Sequence, residues 1–103
     1  MRNAALAFGA VIALGGAQAL AQPRTPPALL SARQDLRECI IRNAGWASAR
    51  AEATPDTVAD AAASKCTDKY VRTVTRRRLM DKAQAKVEVN SMAYEVANRI
   101  LSR

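Results

Sequence analysis

The sequence predicts an all-α fold in which a disulfide-stapled antiparallel helical hairpin is followed by a C-terminal helix. Apolar residues recur at spacings of three and four along much of the 103-residue chain, which is the pattern of amphipathic helices. Neither Gly nor Pro occurs after Pro55, so no helix breaker lies in the second half. Two cysteines, Cys39 and Cys66, lie at similar distances from the expected turn between the first two helices.

Residues 1–21 have the pattern of a secretory signal peptide. Arg2 supplies a positive charge, residues 4–16 are apolar, and Ala19 and Ala21 place small residues where signal peptidase cleaves. A second pair of small residues lies two positions earlier. The apolar run is shorter than the roughly 20 residues that span a bilayer. We therefore expect cleavage after Ala21 and a periplasmic or secreted protein without a transmembrane anchor.

Residues 22–28 contain three of the four prolines and predict a flexible Pro-rich arm, followed by one small helical domain over residues 29–103. The first helix is predicted from one amphipathic face. Gly45 weakens its last turns, and the polar run 48–54 ends the pattern. The face comprises Leu29, Ala32, Leu36, Cys39, Asn43 and Trp46, and is widened by Ile40, Ala44 and Ala47.

The second helix is predicted to begin at Pro55. Thr54 is a favourable N-cap, and Pro is favoured at the first helical position. The apolar positions of this helix recur every four residues. They are Val58, Ala62, Cys66, Tyr70 and Val74.

The cysteine positions predict a disulfide between these two helices. Cys39 and Cys66 each lie roughly 17 Å from the turn at a rise of ~1.5 Å per residue, so an antiparallel hairpin places them side by side. Export to an oxidising compartment favours the bridge. Its closure would stabilise the fold by roughly 3–4 kcal/mol. This matters because the chain left after cleavage has only three aromatic residues for its core.

The C-terminal third has a broad apolar face that must be covered. In one architecture it folds back as a third helix, turning near residues 76–80, with Asp81 as N-cap and Gln84 completing a capping box. In the other, residues 55–102 form one rod about 70 Å long that pairs with a second copy. We favour the three-helix form. One stripe of the face comprises Met80, Ala83, Val87, Asn90, Tyr94, Ala97 and Leu101. A neighbouring stripe comprises Val89, Ala93, Val96 and Ile100. The possible homodimer would use Val89, Ala93, Val96 and Ile100 together with Tyr94 and Leu101.

The net positive charge is concentrated in residues 69–86. The chain has a formal charge of +7, and these residues carry seven basic side chains against one carboxylate, Asp81. The rest of the chain after residue 21 carries eight basic and eight acidic side chains. The candidate residues for binding an anionic partner are Lys65, Lys69, Arg72, Arg76, Arg77, Arg78, Lys82 and Lys86.

Two interpretations of this cluster are open. Charge runs commonly mark solvated helix surface. Alternatively, the cluster binds phospholipid or lipopolysaccharide headgroups, an acidic protein or an acidic cell-wall polymer. Like charges four residues apart destabilise a helix, which favours a compensating partner. Nucleic acid is not expected, because Tyr70 is the one stacking residue in the segment and no nucleic-acid-binding motif occurs.

The residue types argue against catalysis. The chain has no His, which removes the commonest general base and the commonest metal ligand. Ser64 and Lys65 are adjacent, so on a helix their side chains point about 100° apart and do not form a nucleophile–base pair. Gly45 is the one glycine after residue 21, which excludes a Gly-rich phosphate loop there. We predict a non-enzymatic protein with no catalytic residues, no cofactor and no metal.

We therefore expect a small exported protein that binds an anionic envelope component or an acidic protein through residues 69–86. One alternative is a periplasmic chaperone or stress protein that uses its apolar C-terminal helix. Another is an accessory subunit of an envelope complex. In outline, as a short exported helical chain with one disulfide across two helices, the protein resembles periplasmic acid-stress chaperones. Its basic charge differs from theirs and no motif is shared residue by residue, so no residue role is carried over.

Overall fold

The computed structural model describes residues 24–103, and the predicted signal peptide lies outside the described residues. This part of the chain contains three helices and no strand: α1 (Pro27–Ser48), α2 (Pro55–Arg76) and α3 (Lys82–Leu101). Short connections place consecutive helices antiparallel to each other. The predicted three-helix form is confirmed. None of these helices is both long and apolar enough to cross a membrane.

The helix starts follow local capping rules. α1 begins at Pro27, so Pro27 and Ala28 belong to the helix rather than to the predicted arm, because Pro suits the first helical turn. At the start of α2, the Thr57 N–H donates to Thr54 Oγ1 at 3.2 Å and the Thr54 N–H donates to Thr57 Oγ1 at 2.9 Å. This reciprocal capping box confirms Thr54 as the N-cap.

The N-cap predicted for α3 is also confirmed. The Gln84 N–H donates to Asp81 Oδ1 at 2.8 Å. The return bond from the Gln84 side chain, which would complete a capping box, is not made between these two residues.

The chain reverses between α2 and α3 through a Schellman motif. The Arg78 N–H donates to the Thr75 carbonyl at 3.1 Å, and the Leu79 N–H donates to the Val74 carbonyl at 2.8 Å. Arg78 has φ 56°, in the left-handed region that glycine usually occupies at this position. Leu79 packs against the core. A tight turn therefore forms without glycine, and the alternative of one continuous rod is wrong.

The core lies along the line where the three helices meet. Eight of its 17 buried residues are alanines, so the helix backbones approach one another closely. Every apolar position predicted for α2 is buried. The core residues are Leu29, Ala32, Leu36, Ile40 and Ala44 of α1; Val58, Ala59, Ala62, Ala63, Cys66, Tyr70 and Val74 of α2; and Ala85, Val89, Ala93, Val96 and Ala97 of α3.

Two parts of the predicted core are wrong. Trp46 was placed on the buried face of α1, but its side chain is 76% exposed, because the face that packs inward turns through Ile40 and Ala44. In α3, the middle of the stripe through Val87 faces solvent, because Ala83, Val87, Asn90 and Tyr94 are all exposed. The ends of the stripe turn inward: Ala97 is buried, and Met80 and Leu101 pack against the core.

The neighbouring α3 stripe packs inward instead. Val89, Ala93 and Val96, which the dimer hypothesis placed between two copies, are buried within one chain. Ile100 and Leu101 pack against the edge of the same core. A homodimer through these side chains would therefore require α3 to leave the bundle.

Candidate functional site

The disulfide fixes the geometry of the surface that carries the basic residues. Cys39 of α1 and Cys66 of α2 are bonded with their Cα atoms 6.0 Å apart, which confirms the predicted bridge. Asn43 Nδ2 donates to the Cys39 carbonyl at 2.8 Å and lies 3.6 Å from Cys39 Sγ and 3.8 Å from Cys66 Sγ. The amide thus packs against the bridge and helps to hold α1 and α2 in register.

A groove runs between α1 and α2 beside this bridge. It is open to solvent and has a volume of about 250 Å³. Its floor is formed by the disulfide together with Leu36 and Tyr70. Charged side chains line its edges: Asp35, Glu38 and Arg42 from α1, and Lys69 from α2.

The α2 edge of this groove continues as a row of positive charge that we call the basic ridge (Lys65, Lys69, Arg72 and Arg76). These residues are spaced four, three and four apart, so they follow one side of the helix for roughly 16 Å. All four are exposed. The spacing predicted from the sequence therefore corresponds to a row of exposed cations along α2, bordered by the exposed carboxylate of Asp68.

The remaining predicted site residues extend the positive charge around the α2–α3 turn. Arg77, Arg78, Lys82 and Lys86 are all exposed, and we call them the basic turn. Since α3 begins at Lys82, two of these cations lie in its first turns, where the helix dipole disfavours positive charge. Local helix electrostatics thus do not account for Lys82 and Lys86, whereas Arg77, the C-cap of α2, and Arg78 lie at the helix end where the dipole favours positive charge.

None of these eight basic residues forms an ion pair with another side chain of residues 24–103. The ion pairs in that range join Arg33 to Glu88, Arg37 to Glu95, and Arg99 to Glu95. The carboxylates of α3 therefore neutralise arginines of α1 and of α3 itself. The positive charge of the ridge and turn remains directed at solvent.

A polar cluster that was not predicted from the sequence joins all three helices, and we call it the clamp (Arg33, Tyr70 and Glu88). Arg33 of α1 binds Glu88 of α3 with two hydrogen bonds, from Nε to Oε1 at 3.1 Å and from Nη2 to Oε2 at 2.7 Å. The Tyr70 hydroxyl of α2 donates to Glu88 Oε1. Such a bidentate arrangement constrains orientation as well as charge.

The clamp perturbs the titration of its members. Burial of Tyr70, reinforced by the adjacent Glu88 carboxylate, raises its pKa to about 12. Burial alone would raise the pKa of Glu88, but the hydrogen bonds from Arg33 and Tyr70 outweigh it, so the pKa is lowered. The clamp is therefore held as an arginine cation, a carboxylate and a neutral phenol at neutral pH.

One signal for the clamp is present in the sequence. Tyr70 occupies a core position of α2, and a buried tyrosine hydroxyl usually finds a hydrogen-bond partner. The sequence does not identify that partner, because Glu88 and Arg33 are brought to it by tertiary packing. Arg33 and Glu88 are separated by 55 positions in the chain.

Residues 24–103 contain no group of three or more His, Cys, Asp or Glu side chains placed to hold a metal ion.

A scan against protein-family models, a search of curated proteins and a search of solved structures each found no match.

Proposed function

We propose that this is a small exported, non-enzymatic protein that binds an anionic component of the cell envelope through the basic ridge and the basic turn. The observation that carries this proposal is the exposure of all eight basic side chains without an ion pair among residues 24–103. Repulsion along the ridge costs stability, and an anionic partner would relieve it. The disulfide and the signal-peptide pattern support an oxidising extracytoplasmic location.

Co-sedimentation tests the proposal. The protein is mixed with phosphatidylglycerol vesicles, lipopolysaccharide, or poly-glutamate immobilised on beads, each at low and at high salt. We expect binding to at least one of these polyanions at low salt and its loss at high salt, because exposed charges are screened. Failure to bind any of them at low salt would contradict the proposal.

A charge-matched pair of variants locates the binding surface. Lys69→Gln/Arg72→Gln removes two charges from the ridge, whereas Arg99→Gln/Arg103→Gln removes two from the end of α3. Both doubles have the same net charge. We expect the ridge variant to lose at least tenfold in affinity and the α3 variant to change affinity by less than threefold. A cation contributes roughly 1 kcal/mol to binding only when it lies close to the anionic surface. Equal losses would mean that net charge alone drives binding.

A second candidate is a chaperone or stress protein that exposes the apolar stripe of α3. The observation that favours it is the burial of Val89, Ala93 and Val96 on one face of a helix that follows the disulfide-linked pair in the chain. Suppression of client aggregation, measured as pH and temperature are varied, tests it. A protein that stays folded and inactive under all these conditions would exclude this role.

A further inference from the structure

We propose that the anionic partner is a phospholipid bilayer surface, and that Trp46 inserts into its headgroup region beside the basic ridge. This inference rests on the proposed function, because it identifies the partner of the same surface. It commits to a lipid bilayer rather than to a soluble polyanion or an acidic protein.

Helix geometry places Trp46 and the basic ridge on the same side of the hairpin. Trp46 follows Cys39 by seven residues, or about two turns, so it lies on the strip of α1 that Cys39 directs towards α2. Arg42, between them on that strip, lines the α1–α2 groove, and Lys69 of the ridge lines its other edge. The opposite side of α1 is turned to α3, as the Arg33–Glu88 pair shows.

The resulting face has the dimensions of an interfacial binding surface. Arg76 lies ten residues beyond Cys66 in one direction, and Trp46 lies seven residues beyond Cys39 in the other. Because the helices are antiparallel, the face is about 25 Å long, with the tryptophan at one end. Basic side chains beside an exposed aromatic ring are the combination found where proteins lie on an anionic membrane surface.

The exposure of Trp46 favours lipid over a soluble polyanion. Its side chain is 76% exposed, the largest exposed fraction among the large hydrophobic residues described. In a bilayer surface, lipid headgroups and glycerol backbones cover an inserted indole ring. A soluble anionic polymer leaves the ring in water. Asp35 and Glu38 line the same groove and Asp68 is exposed beside Lys69, but the four ridge cations and Arg42 outnumber these three carboxylates. The face is thus basic overall.

Tryptophan fluorescence tests this directly, because Trp46 is the one tryptophan of the whole chain. The emission reports on position 46 even if residues 1–21 are still attached and also contact lipid. The purified protein is titrated with phosphatidylglycerol/phosphatidylcholine vesicles, with pure phosphatidylcholine vesicles, and with soluble poly-glutamate. We expect a blue shift and reduced acrylamide quenching with the anionic vesicles alone.

Two variants separate the aromatic from the electrostatic contribution. Trp46→Ala is expected to weaken binding to anionic vesicles about tenfold, from the apolar area withdrawn from water, and to leave poly-glutamate binding unchanged. Val87→Ala is the matched control, because Val87 is 64% exposed on the outer face of α3, and its vesicle affinity is expected to stay within twofold. Binding by the alanine variants is followed by co-sedimentation.

The outcomes distinguish this inference from the proposed function. If the ridge variant loses anionic-vesicle binding while Trp46 emission does not shift and Trp46→Ala binds normally, the proposed function stands and the bilayer inference is overturned. Binding to poly-glutamate or lipopolysaccharide without binding to phospholipid vesicles has the same meaning. If none of the polyanions binds at low salt, both proposals fail.

Discussion

Arg78 adopts a backbone conformation that its side chain disfavours. Its φ of 56° places it in the left-handed region, which costs a residue with a Cβ roughly 1–2 kcal/mol relative to the right-handed one. Glycine avoids this cost but loses more conformational freedom on folding. The turn is therefore a position where the sequence is not optimised for stability.

We expect Arg78→Gly to stabilise the protein by about 0.5–1 kcal/mol, because the relief of the left-handed strain exceeds the entropic cost of glycine. Urea unfolding of the oxidised protein measures the change. Arg78→Ala is the control, since it removes the same charge but keeps a Cβ. An equal gain in both variants would assign the effect to charge rather than to backbone conformation.

The clamp predicts two opposite pH dependences. The pKa of Tyr70 is raised from 10 to about 12, so its contribution is fully present below pH 10 and is lost as pH rises towards 12. The pKa of Glu88 is lowered from 4.5, so its contribution is present above that pH and is lost as pH falls through the lowered value. Stability measured against pH should therefore fall at both extremes.

Variants isolate these contributions from the other titrating groups. Compared with the parent protein, Tyr70→Phe should lose stability less steeply between pH 10 and about pH 12, and Glu88→Gln should lose it less steeply below pH 4.5. At pH 7, Glu88→Gln is expected to cost about 1–2 kcal/mol, because it weakens a partly exposed bidentate pair. Curves parallel to the parent at both extremes would show that the clamp does not govern the pH response.

At the scale of the element, periodicity and capping residues predicted three helices and the N-caps Thr54 and Asp81. Matched distances along two helices predicted the disulfide. These features depend on short stretches of sequence or on simple helix geometry. Local sequence does not determine which of the two stripes of α3 faces the core, because both stripes satisfy the helical period. The surfaces of α1 and α2 select the stripe that packs inward.

Close packing around buried alanines explains which stripe of α3 faces the core, and it makes this orientation testable. Ala93 is fully buried, whereas Ala83 on the other stripe is exposed. We expect Ala93→Leu to destabilise the protein by about 1–3 kcal/mol, since closely packed backbones leave no room for a larger side chain, and Ala83→Leu to change stability by less than about 0.5 kcal/mol. Thermal unfolding compares the two. A similar effect for both would contradict the assigned orientation of α3.

The disulfide contributes at the same scale by joining α1 to α2. Its cysteines are 27 residues apart, so Cys39→Ala/Cys66→Ala should lower the free energy of unfolding by roughly 3–4 kcal/mol. Urea unfolding with and without reductant measures this. Reductant should destabilise the parent protein by a similar amount and leave the double variant unchanged; sensitivity of the double variant to reductant would contradict the assignment.

For the whole molecule, the distribution of charge is the dominant property. The cluster over residues 69–86 was evident in the sequence, but its lack of ion pairs with side chains of residues 24–103 was not, because pairing depends on which carboxylates the fold brings near. Glu88 and Glu95 of α3 instead bind arginines of α1 and α3. The sequence pattern also placed Trp46 in the core by mistake. Its exposure depends on where the packed face of α1 ends, and tertiary packing determines that point.

This distribution predicts that salt stabilises the protein. Added NaCl screens repulsion among the exposed cations, so the thermal midpoint should rise with ionic strength and level off once that repulsion is screened. Lys69→Gln/Arg72→Gln should have a higher midpoint than the parent at low salt and gain less from added salt. A midpoint that falls as NaCl is added would show that favourable ion pairs outweigh repulsion.

The position of the disulfide also determines what a single backbone cleavage would do. Both bridged cysteines precede the turn into α3. A protease that cuts within residues 49–54 leaves two fragments covalently connected, and the oxidised product keeps its mass apart from one added water. A cut within residues 77–81 leaves α3 without a covalent link to the other two helices, so that it is held by noncovalent contacts alone. Cleavage of the first connection thus leaves all three helices in one covalent molecule, whereas cleavage of the second does not.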